Sequence, residues 1–362
     1  MRHTRGRVVE VASLAELDGR LAAGSRSMNG WRVTSVDLAE RGSQLRSCDV
    51  AGATFLGCRF APGDEAGVEA RGAIVFPAIP DVPVDAYRSD LYSPRELYDA
   101  EVYAASLDAR AYGWAQEHRD EDALLAQTLH DHAIDVALAD WITHVRRPLV
   151  GLMGGHAVAR GEPAYDEAAR LARSLGSTLV VATGGGPGAM EAANLGAYLS
   201  GHPVEALDEA VAHLARVPSF RPSVGAWSAA AFEVLDRFPA GAESLGIPTW
   251  HYGHEPPNPF ASAIAKYFRN APREAVLLQV CDAGIAFLPG SGGTVQEIFQ
   301  DACENYYADE SSVAPMVLVG SSYWTDEVPA WPLLTALARG RVMESHLHLV
   351  DTAEEAVGLL GA

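Results

Sequence analysis

Two textures of apolar and polar residues divide this chain near residue 148. Beyond it, short and almost wholly apolar runs are separated by glycine turns and amphipathic stretches. The runs at 149–153 (LVGLM), 178–182 (TLVVA), 284–288 (GIAFL), 315–319 (PMVLV) and 347–350 predict strands buried on both faces. The stretches at 163–175 (PAYDEAARLARSL), 188–199, 294–306 and 330–338, with a last one from Thr352, predict helices. Strand, loop and helix in alternation imply an α/β fold, a Rossmann-like doubly wound parallel sheet with helices on both faces. In such folds ligands sit at the carboxyl ends of the strands.

Before residue 148 the pattern is weaker. The stretch VDLAERGSQLRSCDVAGATFLGCRF places Leu45, Val50, Phe55 and Phe60 at roughly five-residue spacing. That spacing fits a short pentapeptide-like coil or an ordinary set of strands, so residues 1–90 are expected to form a β-rich N-terminal accessory domain. Residues 77–90 are rich in proline and aspartate and read as its exit. Ser93, Pro94 and Glu96 then mark a helix start, with helical patterns to about residue 145. Residues 91–147 are therefore expected to be a helical connector and 148–362 the nucleotide-binding domain.

Two glycine-rich loops lie at predicted strand-to-helix turns. Loop one is Thr183-Gly184-Gly185-Gly186-Pro187-Gly188 and loop two runs from Pro289 through Gly290-Ser291-Gly292-Gly293-Thr294 to Glu297. Backbone N–H groups at a helix start lack intrahelical partners, and the helix dipole adds positive potential, so both loops suit an anion. Thr294 and Glu297 also fit a capping box, which would tie Glu297 to the helix start rather than to a ligand. Neither loop is followed by GK[ST], and neither is the GxGxxG dinucleotide fingerprint. Two loops on separate strands suit a compact mononucleotide. Arg273, in the first turn of a helix starting near Asn270, sits where the dipole disfavours a cation. It is read as paired with Glu274 or as a contact to an anionic ligand.

Composition narrows the partners. Forty-seven acidic against 27 basic residues give a net charge of −20, which argues against nucleic acid and anionic membrane surfaces. No apolar run approaches the ~20 residues of a membrane span. The charged N-terminus interrupts any signal-peptide core, so a cytoplasmic protein is expected. Cys48, Cys58, Cys281 and Cys303 show no CxxC spacing, so reduced buried thiols are expected rather than a metal site, and no cofactor is implied. Lys266 is the only lysine, so Schiff-base chemistry would have to use it.

The segments GGGPGAMEAANLGA (184–197) and PGSGGTVQE (289–297) resemble the LONELY GUY family of nucleotide 5′-monophosphate phosphoribohydrolases, whose members have often been labelled lysine decarboxylases. The resemblance covers about 148–362, including GLMGGH and the ending PMVLVGSSYW. It implies hydrolysis of the N-glycosidic bond of an AMP-like nucleoside monophosphate, in a homodimer or larger homo-oligomer. Carried onto this chain, it makes Arg273 and Glu297 catalytic and gives the phosphate to Gly290, Ser291, Gly292, Gly293 and Thr294. Gly155, His156, Gly184, Gly185, Gly186, Pro187, Gly188 and Glu191 line the nucleoside. Glu191 also reads as a surface residue favoured by the dipole, and His156 as a structural loop histidine. Ser291 stands where the family motif has glycine, and 200–270 is longer than in small members. Two other readings remain: a non-catalytic nucleotide or cofactor carrier on the same fold, and a pyridoxal-phosphate decarboxylase using Lys266. Residues 251–260 (HYGHEPPNPF) read as a lid or as an ordered connector.

Overall fold

The computed structural model describes residues 8–251 and 255–361. The chain forms two compact units, one made of residues up to Asp90 with Trp114–Ala139, the other of Leu91–Gly113 with Asp140 onward. In the first unit, four short strands, β1 (Val9–Val11), β2 (Trp31–Thr34), β3 (Thr54–Leu56) and β4 (Ile74–Phe76), pair in parallel and in chain order. Val9 pairs with Trp31, Arg32 with Thr54 and Thr54 with Ile74, so the chain returns to the same level about every 22 residues. The helices Leu14–Ala22, Gly42–Ser47 and Asp64–Glu69 fill the returns.

Residues 9–76 of this unit thus form a short run of parallel strands and helices stacked as a β/α solenoid. Leu45, Val50 and Phe55 are buried as the five-residue spacing suggests, but Leu45 lies on a helix and Phe60 is only partly buried. The repeat is carried by the backbone. Val9 N–H donates to Gly30 O at 2.9 Å, Gly30 N–H to Gly52 O at 3.0 Å and Gly52 N–H to Gly72 O at 2.9 Å. Each repeat alone exposes its apolar face, and stacking buries Val11, Val33 and Phe55 in one core.

In the second unit seven strands form one parallel sheet: β5 (Leu149–Met153), β6 (Val180–Thr183), β7 (Ser244–Gly246), β8 (Ala263–Ile264), β9 (Ile285–Phe287), β10 (Met316–Val319) and β11 (Leu347–Val350). Their order across the sheet is β11-β10-β9-β5-β6-β7-β8, with helices flanking it. All residues of β5, β6, β9 and β10 are buried, which is why these strands read as unbroken apolar runs. β7 and β8 have three and two residues, too short to stand out by periodicity. From β5 the chain steps to β6, β7 and β8 on one side, then returns to β9 on the other. The carboxyl ends of β5 and β9 therefore flank the topological switch point, where open α/β sheets form their crevice. Among the described residues no helix is long and apolar enough to cross a membrane.

The helix that follows loop one belongs to a close helix pair. The helix Pro163–Leu175 packs on the helix Ala189–Tyr198 through small residues, Ala168, Ala169 and Ala172 against Ala192, Ala193 and Gly196. A Cβ on Gly196 would lie 1.9 Å from the backbone oxygen of Ala169. Gly196→Ala is therefore expected to force the helices apart and cost about 3 kcal/mol, read as a lower denaturant midpoint with an unchanged m-value.

Candidate functional site

Loop two is built by the end of β9. Leu288 N–H still donates to Met153 O of β5 at 2.8 Å, and the chain then turns into the helix Gly292–Tyr307. Ser291 takes the N-cap position with φ −93° and ψ −147°, a backbone conformation open to any residue, so serine replaces the motif glycine here without strain. No side chain caps this helix. The expected capping box does not form, because the helix begins at Gly292 and leaves Thr294 as its third residue, too deep to act as the cap. Thr294 is buried against Gly290, where a Cβ would lie 2.2 Å from its Oγ1. The first backbone N–H taken by the helix is that of Val295, which donates to Ser291 O at 3.1 Å. The N–H groups of Gly292, Gly293 and Thr294 precede it and have no intrahelical acceptor. Tyr323 Oη donates to Gly290 O at 2.8 Å and fixes the loop; its signal lay inside the quoted ending PMVLVGSSYW.

With no capping duty, Glu297 lies one turn into the helix and interacts with Arg273. Desolvation pushes its carboxyl up to about 7, with Arg273 opposing the rise and Glu274 adding to it. Arg273 is buried on the helix Asn270–Gln279, donates through Nε to Ile247 O at 2.8 Å and pairs through Nη1 with Glu274 at 2.9 Å. The sequence left its role open between Glu274 and a ligand; the ion pair exists, but inside the protein and with the guanidinium turned towards loop one. A Cβ on Gly184 would lie 2.9 Å from Arg273 Nη2.

Loop one differs from the expectation of free N–H groups, since Thr183 through Ala189 are all buried. Gly185 N–H donates to Thr183 Oγ1 at 2.9 Å, and Ala189 N–H donates to Gly155 O at 3.1 Å. Two asparagines complete the scaffold. Asn258 donates through Nδ2 to Gly186 O at 3.1 Å and to Asn194 Oδ1 at 2.9 Å, and its N–H donates to Gly185 O at 2.8 Å. Asn194 accepts from Thr183 Oγ1 at 2.7 Å. The signal for Asn194 lay inside the quoted motif, and that for Asn258 inside the segment 251–260. Residues 252–254 of that segment lie outside the described residues, while 256–260 are buried as a connector. Gly188 has φ +74°, and a Cβ there would lie 2.6 Å from Gly155 O. The loops after β5 and β6 are therefore in backbone contact, and Gly155 N–H donates to Pro289 O of loop two at 3.2 Å.

Glu191 is buried rather than on the surface. Its carboxylate pairs with Arg160, whose Nε lies 3.1 Å from Oε1, and both side chains are 1% exposed. Arg160 also stacks 4.6 Å from the Trp227 ring centroid and donates through Nη1 to Trp227 O at 3.0 Å. Arg160 was not singled out in the sequence, where it carries no motif. Beside this pair lies a cavity of about 290 Å3, lined by His156, Pro187, Gly188, Glu191, Phe220 and Glu255 among others. Arg273, Glu297 and loop two do not line it. Lys266 is buried, donates to Asp108 Oδ1 at 2.5 Å and lies 5.0 Å from the Trp250 ring centroid. Burial lowers its pKa against the pull of Asp108, and its nitrogen is closed to a Schiff-base partner.

No protein-family model and no curated protein matches the chain. Solved structures do. A Moco carrier protein from Chlamydomonas reinhardtii aligns over 60% of this chain and 96% of its own, with 16% identity and a TM-score of 0.38. The molybdenum cofactor binding protein of the phototrophic bacterium Rippkaea orientalis covers the same shares with 16% identity and a TM-score of 0.36. At such identities the likeness concerns the fold alone.

Two expectations follow from the buried charges. Arg160→Met would leave Glu191 uncompensated and cost about 3–5 kcal/mol, while adding Glu191→Leu should recover most of it in urea unfolding. Burial also holds Asp301 up at about 7, with Glu304 adding to the rise. Glu297 and Asp301 both bind protons more tightly folded than unfolded. Their stabilising contribution is complete below the ordinary carboxylate range and is lost as pH rises through about 7. Glu297→Gln should flatten that fall in urea midpoints taken from pH 5 to 8.

Proposed function

We propose that the crevice between the ends of β5 and β9 binds a nucleoside 5′-monophosphate and hydrolyses its N-glycosidic bond, as the LONELY GUY resemblance implies. The observation that carries this reading is Glu297. It is a carboxyl raised to about 7, beside Arg273 and one turn behind the unclaimed N–H groups of Gly292, Gly293 and Thr294. A group tuned to the working pH takes and returns protons efficiently, and such assistance is worth ~10²–10⁴-fold. The 5′-phosphate meets loop two. The C1′–N bond breaks as positive charge grows on the ribose ring, which the ionised Glu297 stabilises. Water, deprotonated towards Glu297, adds its oxygen to C1′. The departing base takes a proton, and the products are free base and ribose 5-phosphate. Arg273, anchored to Ile247 O, orients the ligand beside Gly184.

A second reading, a carrier that holds a nucleotide-like cofactor intact, is favoured by one observation: the cavity beside loop one meets neither Arg273 nor Glu297, so a ligand held wholly within it would escape the carboxylate. One panel separates the two. Incubation with AMP, GMP, CMP and UMP should release free base, with kcat/KM rising through about pH 7, and Glu297→Gln should abolish release while binding persists. Binding without release from any monophosphate selects the carrier; release that survives Glu297→Gln removes the role given to Glu297.

A further inference from the structure

The cavity beside loop one has a recognition chemistry of its own. Its volume of about 290 Å3 is at the small end for ligand pockets, enough for one ring system and its sugar. Val158, Pro187 and Phe220 give it apolar walls. It has two carboxylates. Glu191 is committed to Arg160. Glu255 is held more loosely: its Oε1 makes a long ion pair with His156 Nδ1 at 3.6 Å, and its side chain is 35% exposed. Its Oε2 faces Gly186, where a Cβ would lie 3.6 Å away. An ionised carboxylate only accepts, and two parallel N–H donors satisfy it best.

We infer that this cavity is a base-recognition pocket selective for guanine-type rings, with Glu255 as the residue that determines the choice. The inference deepens the nucleotide reading above and rests on it for the position of the phosphate. The Watson–Crick edge of guanine offers two adjacent donors, the ring N1–H and the 2-amino group. Adenine presents an acceptor beside its amino group, cytosine does the same, and uracil flanks its single N–H with carbonyls. Each of these sets a lone pair against the carboxylate. Loop one supplies the link to the reacting bond. Gly184 touches Arg273 and Gly186 faces Glu255, and two residues span at most about 7 Å. Base pocket and Arg273 are thus one nucleotide apart. The expectation of an AMP-like substrate is replaced accordingly by GMP.

Titration calorimetry of the full chain with guanosine, inosine, adenosine, GMP and AMP tests this. Guanosine should bind at least about tenfold more tightly than adenosine, and inosine, which lacks the 2-amino group, should lose most of that advantage. Glu255→Gln should remove the preference and leave adenosine unchanged. Equal binding of guanosine and adenosine, or a preference that survives Glu255→Gln, overturns the inference even where the monophosphates bind. Guanosine preferred while GMP binds no better than guanosine leaves the inference standing and overturns the phosphate role of loop two. Binding by none of the five overturns both.

Discussion

One peptide backbone ties the candidate site together. Gly155, just beyond β5, donates its N–H to Pro289 of loop two and accepts at its carbonyl the N–H of Ala189 at the end of loop one. The strands on either side of β5 therefore deliver their loops to the same place. This join tolerates no side chain at Gly188, whose Cα faces the Gly155 and His156 backbone. The sheet order makes the arrangement possible, since β9 returns to the flank of β5 opposite β6 and opens the crevice between them.

The two glycine loops then divide their labour. Loop one spends its hydrogen-bonding groups on the protein: Thr183, Asn194 and Asn258 hold it in a buried network, and its glycines admit neighbours closely rather than an anion. In loop two the carbonyls of Pro289 and Gly290 are taken by Gly155 and Tyr323, but the N–H groups of Gly292, Gly293 and Thr294 find no acceptor within the helix, because Ser291 does not cap it and Thr294 turns inward against Gly290. A buried wall beside a helix start whose first N–H groups have no intrahelical acceptor has the features that suit an anion.

Buried charge recurs throughout this acidic chain, and each case has a different consequence. Arg160 and Glu191 neutralise one another under the cavity floor. Lys266 and Asp108 do the same elsewhere, with Trp250 and Tyr103 donating to the two oxygens of Asp108, so the only lysine is held in a buried pair. Glu297 has no such exclusive partner, since Arg273 is shared with Glu274 and Ile247. Like Asp301 it is a carboxylate raised to about 7, but Glu297 alone of the two has Arg273 opposing the rise.

The sequence by itself determined the α/β sheet and the positions of both loops, because buried parallel strands must be apolar on both faces and glycine clusters between strand and helix have few other uses. It also singled out Glu297 through the motif at 289–297, and Arg273 through its place at a helix start upstream of that loop. Other features depend on groups far apart in the chain. The 22-residue solenoid is legible only once Gly30, Gly52 and Gly72 stack; a five-residue spacing of apolar positions hid it. Thr294 and Glu297 satisfy the letter pattern of a capping box, and only the helix start at Gly292 shows that neither side chain serves as one. Arg160 carries no local signal and Asn258 only its place in the segment 251–260, since their meaning lies in partners 31 and 64 residues away. Local pattern fixes what is periodic; which carboxylate is paired, which N–H is spent and which is left for a ligand is decided by contacts that form only when the sheet closes.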